Sequence, residues 1–275
     1  MSITENGLME NKARRLEKCL QRYTKLGVAF SGGVDSTLLL AAAKRILGNR
    51  VYAFTAQSIL HPSQETQLAV ALAKQLNAQH VLFDFNALED PNFIANRPDR
   101  CYHCKKRLLE TMSTKAAAVG IEVLAHGANV DDLSDYRPGY KAAEEMRITA
   151  PLIDALLTKA DIRNLAKMWG LPNWNRPPMP CLATRIPYGI CIDSQLLHRI
   201  DAAEQFMQQL GVTHCRVRHH GEVARIEVSP DAIQELVRPQ IRSKIVEALR
   251  NLGYSHVSID LEGYHSGKMN RGLPT

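Results

Sequence analysis

The sequence predicts an α/β fold, in which a parallel, doubly wound domain is followed by a smaller C-terminal α+β domain. Short apolar segments alternate with segments of helical periodicity up to residue 126, and this order favours a parallel sheet with helices on both faces. Residues 172–187 are dense in proline, which excludes a regular helix and indicates an ordered connection between domains. We therefore divide the chain into domains 1–188 and 189–275.

Local patterns define the elements of the first domain. Residues 51–56 are continuously apolar, as buried parallel strands are. Leu68, Leu72 and Leu76 recur at a spacing of four and mark one face of a helix, for which Ser63 is the expected N-cap. The predicted elements are helices at 8–23, 37–47, from 63 onward and at 104–119, and strands at 28–30, 51–56, 81–83 and 123–126.

The segment beyond the prolines predicts a compact module of about 85 residues, a usual size for a small domain. Its expected elements are a helix at 194–210, strands at 215–219 and 223–228, a helix at 231–252 and a strand at 256–261. The two strands flank a turn at His220 and Gly221. We expect His219 and His220 to be exposed at this turn.

Composition excludes several classes of protein. The 275 residues are 45% hydrophobic with a net charge of +6, which is ordinary for a globular protein and suits an enzyme for anionic substrates. No apolar run approaches the roughly 20 residues that span a bilayer, and residues 1–25 lack a secretory apolar region. We therefore expect a cytoplasmic protein without a membrane partner, whose six cysteines are reduced, metal-bound or catalytic.

The segment Ser31–Ser36, SGGVDS, carries the strongest functional signal. It lies between a predicted strand and a predicted helix, where adjacent glycines and unpaired amides at a helix N-terminus favour a phosphate. The lysine of the Walker A pattern is missing, and the hexapeptide resembles the pyrophosphate loop (PP-loop) of ATP pyrophosphatases. That resemblance implies cleavage of ATP between its α- and β-phosphates; the alternative is a turn without a ligand. The candidate nucleotide-binding residues are Ser31, Gly32, Gly33, Asp35, Ser36, Ala56 and Gly127, all expected at the carboxyl edge of the sheet.

The cysteines form a second pattern, because Cys101 and Cys104 make a C-x-x-C motif and Cys181 lies far along the chain. The motif does not follow the first strand, which argues against a thioredoxin-like redox pair. Zinc would need further ligands, for which His103 or Cys181 is available. A [4Fe–4S] cluster on the three cysteines would leave one iron open for a further ligand. A further alternative is that Cys101 and Cys104 bind no metal and simply lie at the start of a helix. The remaining cysteines, Cys19, Cys191 and Cys215, are expected to be packed.

Further motifs follow one another along nearly the whole chain, at residues 30–37, 135–139, 173–175, 185–189, 216–218, 224–227 and 266–270. In their order and joint presence, they resemble the LarE family of ATP-dependent sulfur transferases, of the nickel-pincer nucleotide pathway. The resemblance implies adenylation of a carboxylate of pyridinium-3,5-biscarboxylic acid mononucleotide, followed by replacement of its oxygen with sulfur. It also implies a first domain that adenylates and a second that takes part in substrate binding and sulfur transfer.

Cysteine usage divides this family. In one branch a single cysteine, matching Cys181, gives up its own sulfur; in the other, three cysteines matching Cys101, Cys104 and Cys181 hold a [4Fe–4S] cluster that can bind the donated sulfide. This chain has the second pattern. The implied cofactors are ATP, Mg²⁺ and the cluster, and the implied partners are a small nucleotide substrate and a sulfide donor. We expect a homo-oligomer and no nucleic acid.

The resemblance also assigns roles to single residues. Cys181, Asp35 and Lys105 are the catalytic candidates, and Asp35 is expected to ligate Mg²⁺ unless it only caps a helix. Arg216 and Arg218 alternate along one strand, so they present one face either to an anion or to solvent. Glu227 is expected to orient an arginine. The candidates for substrate or phosphate contact are Arg137, Arg185, Arg216, Arg218 and Glu227.

Three other functions remain open from the sequence. A PP-loop tRNA thiolase with a cluster fits the cysteines and the positive charge, but no RNA-binding module is evident. A zinc-stabilised, nucleotide-binding regulator without turnover fits the loop and the C-x-x-C motif. An amide-forming PP-loop enzyme fits the loop but gives no reason for three matched cysteines.

Overall fold

The computed structural model describes residues 3–134, 138–212, 214–265 and 268. It contains two compact units, one formed by Met1–Phe93 with Asp99–Met179 and the other by Ile94–Pro98 with Pro180–Thr275. The division falls inside the proline-dense segment, before the predicted boundary at residue 188. The assignment of separate functions to the two predicted domains stays a prediction.

A parallel sheet of four strands organises the first unit, which confirms the predicted α/β class. The strands are β1 (Leu26–Ala29), β2 (Val51–Gln57), β3 (Gln79–Asp84) and β4 (Leu124–Ala125), in the order β3-β2-β1-β4. Their pairings are all parallel. Because carboxyl ends of parallel strands share one edge, the segments that follow β1 and β4 meet there.

Helices connect and cover these strands. The second helix is apolar nearly all round and contributes Leu38, Leu39 and Leu40 to the core with no exposed surface. Ser63 is the first residue of the third helix and Pro62 is its N-cap, so the predicted cap is misplaced by one residue. The helices are α1 (Ile3–Leu20), α2 (Val34–Leu47), α3 (Ser63–Gln75), α4 (Pro91–Ile94), α5 (Arg100–Ala118), α6 (Pro138–Glu145), α7 (Pro151–Asp154) and α8 (Lys159–Met168).

The second unit has the predicted α+β composition. Strands β5 (Cys215–His220) and β6 (Val223–Val228) are antiparallel, and β7 (His256–Ile259) pairs with β6 in parallel. Its helices are α9 (Ser194–Gln209), α10 (Pro230–Leu236) and α11 (Pro239–Asn251). The single helix predicted at 231–252 is therefore wrong, because Pro239 disfavours helical geometry in the residue before it.

Two further observations bear on the sequence predictions. His219 is only 8% exposed and its ring lies 5.9 Å from that of Tyr254, so its predicted exposure is wrong, whereas His220 is exposed. In the described part of the chain, no helix is both long and apolar enough to cross a membrane.

Candidate active site

The PP-loop joins β1 to α2, and its two glycines differ. Gly32 has a φ of +74°, and a Cβ there would lie 3.1 Å from the Cα of Ala69 in α3, so the fold itself requires glycine. Gly33 is the N-cap of α2 with φ −70° and ψ 159°, a conformation open to any residue. A Cβ on Gly33 would meet nothing closer than the Ser31 hydroxyl, at 3.4 Å. The fold alone therefore gives no reason for glycine at position 33.

The two serines of the loop form a small hydrogen-bonded ring. The Ser36 hydroxyl donates to the Gly33 carbonyl at 3.1 Å and accepts from the Ser31 amide at 3.3 Å. The Ser31 hydroxyl accepts from the Gly33 amide at 3.3 Å. This ring fixes the loop at the N-terminus of α2, where the helix dipole favours an anion.

Asn173, in the segment after α8, forms hydrogen bonds to the PP-loop and to the first turn of α2. Its side chain is 4% exposed, and its amide nitrogen donates to the Gly32 carbonyl at 2.8 Å and to the Thr37 hydroxyl at 2.9 Å. The sequence comparison to the LarE family included this residue but gave it no role. Its partners lie 141 and 136 residues away, so no local pattern could reveal the contact.

Gly127 follows β4 and approaches the start of α2. A Cβ on Gly127 would lie 2.9 Å from the Ser36 amide nitrogen and 3.2 Å from the Asp35 Cβ. Glycine is therefore required for packing here, whether or not a nucleotide touches it. Ala56 is half-buried in β2, where it is in register with Phe83.

Asp35 lies in the first turn of α2 and is not its N-cap, which is Gly33. One carboxylate oxygen of Asp35 forms an ion pair with the ammonium group of Lys159. The other oxygen lies 3.5 Å from the side-chain amide of Asn129. Three chain segments thus meet at this carboxylate: the start of α2, the loop after β4 and the start of α8.

Lys105 is half-buried on α5, and burial lowers the pKa of its ammonium group, partly opposed by Cys104. His126 follows β4 and is buried; this burial, with the nearby Lys105 charge, lowers the pKa of the imidazole to about 4. The imidazole is therefore neutral at pH 7, and its ring lies 5.9 Å from that of Tyr140. Lys105 and His126 thus lie close enough for the charge of one to affect the other. The sequence analysis named Lys105 as a candidate residue but not His126.

In the second unit, Arg185 is buried and paired within the unit. Its Nε and Nη2 donate to the Glu204 carboxylate at 2.9 and 2.8 Å. Its Nη1 donates to the carbonyl oxygens of Pro180 at 2.7 Å and Cys181 at 3.1 Å. We infer that Arg185 positions the turn that carries Cys181; its contact with substrate or phosphate stays a prediction.

A second buried ion pair lies beside a cavity of about 200 Å³. Glu227 is fully buried and accepts from Arg218 at 2.8 and 3.0 Å and from Arg225 at 3.0 Å, so the expected contact between Glu227 and an arginine is present. Arg216 is buried, donates to the Cys215 carbonyl at 2.8 Å, and is not among the cavity-lining residues that the structure describes. The cavity is lined by Thr184, Arg185, Pro187, Tyr188, Arg218, His220, Arg225 and Lys268. Arg137 lies outside the described residues.

Comparisons with known proteins place this site in a family. A family model described as asparagine synthase matches residues 13–130, the part with the PP-loop. The chain is 37% identical over 259 residues to the pyridinium-3,5-bisthiocarboxylic acid mononucleotide synthase of Lactiplantibacillus plantarum, covering 93% of this chain and 91% of that protein. The chain belongs to the family of this synthase. The chain is also 38% identical to an uncharacterized protein of Synechocystis, over 97% of this chain and 99% of that protein.

The PP-loop relationship extends beyond this synthase family. The glutamine-hydrolysing GMP synthase of Aeropyrum pernix is 30% identical over 201 residues, which cover 63% of this chain and 38% of that protein. The chain therefore carries an ATP-utilising PP-loop domain, as the SGGVDS motif predicted.

The three cysteines of interest lie in both units. Cys101 is exposed and Cys104 is half-buried, and a spacing of three in the first turn of α5 places them on one side of the helix. Cys181 is half-buried and is the N-cap of a 3₁₀ turn, Leu182–Arg185. No three His, Cys, Asp or Glu side chains are grouped as metal ligands within the described residues.

The other cysteines follow the prediction in part. Cys215 is buried and Cys19 is half-buried against the core, as expected of packed residues. Cys191 is exposed, so its predicted packing is wrong.

Proposed function

We propose that this chain is an ATP-dependent sulfur transferase that acts on pyridinium-3,5-biscarboxylic acid mononucleotide. A substrate carboxylate oxygen attacks the α-phosphorus of ATP, the bond from that phosphorus to the bridging oxygen breaks, and pyrophosphate leaves. The carboxylate is then an acyl adenylate, which sulfur can attack. The observation that carries the proposal is the PP-loop at the N-terminus of a buried helix, in a chain related over 93% of its length to a bisthiocarboxylic acid mononucleotide synthase.

The loop supplies the contacts that a triphosphate needs. Gly33 carries no side chain although its backbone would accept one, which leaves room for a phosphate to approach the amides of α2. The side chains of Ser31 and Ser36 add hydroxyl groups at the same place. Asn173 keeps the loop in this conformation by binding the Gly32 carbonyl.

The residues around Asp35 fit a magnesium ion bound together with ATP. Mg²⁺ is commonly held in nucleotide sites by one or two carboxylates plus phosphate oxygens. Asp35 supplies such a carboxylate in the first turn of α2, next to the loop amides. When bound, the ion would neutralise phosphate charge during adenylation.

The cysteines of α5 fit two ligands of an iron–sulfur cluster. Cys101 and Cys104 present two thiols on one side of the first turn of α5. Cys181 would be the third ligand, and Arg185 with Glu204 fixes the backbone of its turn. A cluster held there would supply a sulfide that forms a C–S bond to the acyl carbon, while AMP leaves with the electrons of the broken C–O bond.

The cavity of the second unit fits the phosphate of the nucleotide substrate. Arg218, Arg225 and Lys268 line it, and His220 adds a further donor. Glu227 holds Arg218 and Arg225 in place, since its carboxylate accepts from both guanidinium groups. Planar guanidinium groups bind phosphate in a bidentate manner, which favours a phosphomonoester over a neutral ligand.

Adenylation is tested by substrate-dependent exchange of labelled pyrophosphate into ATP. Asp35→Ala should abolish the exchange, because it removes the proposed metal contact. It should leave the fold intact, because the carboxylate is partly exposed. Asp231→Ala is the matched control, since Asp231 is also an acidic residue in the first turn of a helix but lies in the second unit. Normal exchange by Asp35→Ala would remove Asp35 from the mechanism.

The sulfur source is tested by iron and sulfide analysis of protein purified without oxygen. Alanine at Cys101, Cys104 or Cys181 should abolish a brown chromophore of about four irons, whereas Cys191→Ala, an exposed control, should retain it.

With ATP, Mg²⁺ and sulfide, we expect repeated turnover with Cys181 recovered intact. One product per chain, with dehydroalanine at position 181, would show that the cysteine is consumed. A colourless protein with stoichiometric zinc and no exchange would support the regulator instead.

A further inference from the structure

An ion pair between Glu65 and Arg176 joins two distant segments of the first unit. Glu65 lies in the first turn of α3, and Arg176 lies in the connection that follows α8, 111 residues later. Hydrogen bonds of 3.0 and 2.5 Å run from two nitrogens of the guanidinium group to the two carboxylate oxygens. A bidentate pair of this kind fixes an orientation as well as a distance. No function was predicted from the sequence for either residue.

The helix α3 touches the PP-loop one turn after Glu65. Ala69 lies four residues further along α3, so it is on the same side of the helix as Glu65. A Cβ on Gly32 would lie 3.1 Å from the Cα of Ala69, so this side of the helix packs directly against the loop. Glu65 therefore holds Arg176 on the face of α3 that supports the PP-loop.

Arg176 closes a short turn that carries Asn173. The amide of Arg176 donates to the Asn173 carbonyl at 3.1 Å. The Asn173 side chain in turn donates to the Gly32 carbonyl at 2.8 Å. Gly32 is thus held on two sides, by Ala69 beside its Cα and by Asn173 at its carbonyl oxygen. The ion pair between Glu65 and Arg176 joins these two supports.

The carbonyl that Asn173 binds also sets the direction of the next amide. In a trans peptide the C=O and N–H bonds point in opposite directions. Because the Gly32 carbonyl faces Asn173, the Gly33 N–H points away from Asn173, toward the Ser31 hydroxyl, which accepts from it at 3.3 Å. This distance is longer than that of a strong N–H···O hydrogen bond, so a phosphate oxygen can replace the hydroxyl as the acceptor.

We propose that Glu65 and Arg176 are positioning residues for ATP. Through Asn173, they hold the peptide between Gly32 and Gly33 in the orientation that presents the Gly33 amide to a phosphate. This role rests on the proposed binding of ATP at the loop. The side chains of Arg176 and Glu65 are 30% and 14% exposed, so water reaches the pair and limits its contribution to the stability of the fold. Loss of the pair should therefore change ATP affinity more than unfolding.

Substitution of Arg176 by methionine removes the ion pair and keeps much of the side-chain volume. In calorimetric titrations with MgATP, Arg176→Met should bind about tenfold more weakly than the wild type, the equivalent of most of one hydrogen bond to a charged group. Its Tm should stay within about 4 °C of the wild type, because its carbonyl still accepts from Arg163 at 3.2 Å. Glu65→Gln should weaken binding to a similar extent. Arg176→Lys should recover part of the affinity, because it restores the charge without the bidentate geometry.

A double-mutant cycle separates positioning through Asn173 from a general effect on structure. Asn173→Ala should weaken MgATP binding at least as much as Arg176→Met does. The variant with both changes should bind no more weakly than Asn173→Ala alone, because Arg176 acts through Asn173. Additive losses would overturn the proposal, since Arg176 would then act by another route. Wild-type affinity of Arg176→Met would overturn it as well.

Arg22→Met is the matched control, because it removes another arginine–carboxylate pair of the same unit, with Asp154 of α7. It should leave MgATP affinity unchanged. An equal loss of affinity in Arg22→Met and Arg176→Met would show a general effect of losing an ion pair and would overturn the positioning role. Absence of MgATP binding by the wild type would instead overturn the proposed ATP site, so the two failures are distinguishable.

Discussion

Alanine at positions 32 and 33 should have opposite effects on folding and on ATP binding. Gly32 has a φ of +74° and a Cβ there would press on Ala69 at 3.1 Å. Left-handed strain of about 1–2 kcal/mol and overpacking of about 1–3 kcal/mol predict a loss of about 2–5 kcal/mol for Gly32→Ala. Gly33→Ala meets neither obstacle, because φ is −70° and the nearest atom is 3.4 Å away. Its stability should stay within about 1 kcal/mol of wild type, since the entropy lost by the unfolded chain offsets the weaker cap.

Thermal unfolding and ATP titration measure the two effects separately. Gly32→Ala should lower Tm by about 4–20 °C, at about 2–4 °C per kcal/mol for a chain of this size. Gly33→Ala should keep its Tm but weaken MgATP binding about 10–100-fold, the equivalent of one charge-assisted hydrogen bond lost to a displaced phosphate. Gly170→Ala is the control for strain alone, because Gly170 has a φ of +69° and no atom within 4 Å of its Cβ position.

Two results would contradict the expectations for the glycine variants. If Gly33→Ala binds MgATP as the wild type does, no phosphate approaches that residue, and the proposed orientation of ATP on α2 is refuted. If Gly32→Ala destabilises no more than Gly170→Ala, the contact with Ala69 relaxes at no cost and the packing argument fails.

Two further predictions concern buried ionisable groups. The pKa of His126 is about 4 when folded and about 6.5 when unfolded, so the unfolded chain binds the extra proton as pH falls. The free energy of unfolding, measured with urea, should be constant above about pH 7 and should be about 2 kcal/mol lower at pH 5. His126→Gln should remove that pH dependence. An unchanged pH dependence in this variant would show that His126 is not its cause. Glu227→Gln leaves the guanidinium groups of Arg218 and Arg225 without a buried carboxylate, so it should cost about 3–5 kcal/mol. Glu235→Gln, which breaks an exposed pair in the same unit, should cost less than about 1 kcal/mol, and equal losses would refute the argument.

The strongly patterned parts of the fold were predictable from the sequence. Strands β1 to β4 and the helices α1, α2, α3 and α5 have clear apolar periodicity or continuous apolar runs, and they lie where these patterns indicate. The helix α8 was missed although its N-terminus carries a signal, since Thr158 and Asp161 have the spacing of a capping box. The break between α10 and α11 was also readable, because Pro239 is a first-turn residue of the second helix.

The site was predictable only where its residues are close in sequence. The PP-loop could be recognised because its glycines, serines and Asp35 lie within six positions. Lys159 and Asn173 reach the same loop from more than 120 residues away, and their contacts depend on how α8 and the segment after it pack. Single-sequence patterns contain no information on such pairs, so a structure was needed to find them.

The arginines of the second unit show why residue type locates a region without assigning roles within it. Arg185 and Arg218 are both predicted to contact phosphate, and the structure shows that each also forms a buried ion pair, with Glu204 and Glu227 respectively. Both also bind Thr184, since Arg185 donates to its hydroxyl at 3.0 Å and Arg218 to its carbonyl at 2.6 Å. Thr184 belongs to the turn that begins at Cys181 and also lines the cavity. The cysteine turn and the wall of the cavity are therefore one hydrogen-bonded structure.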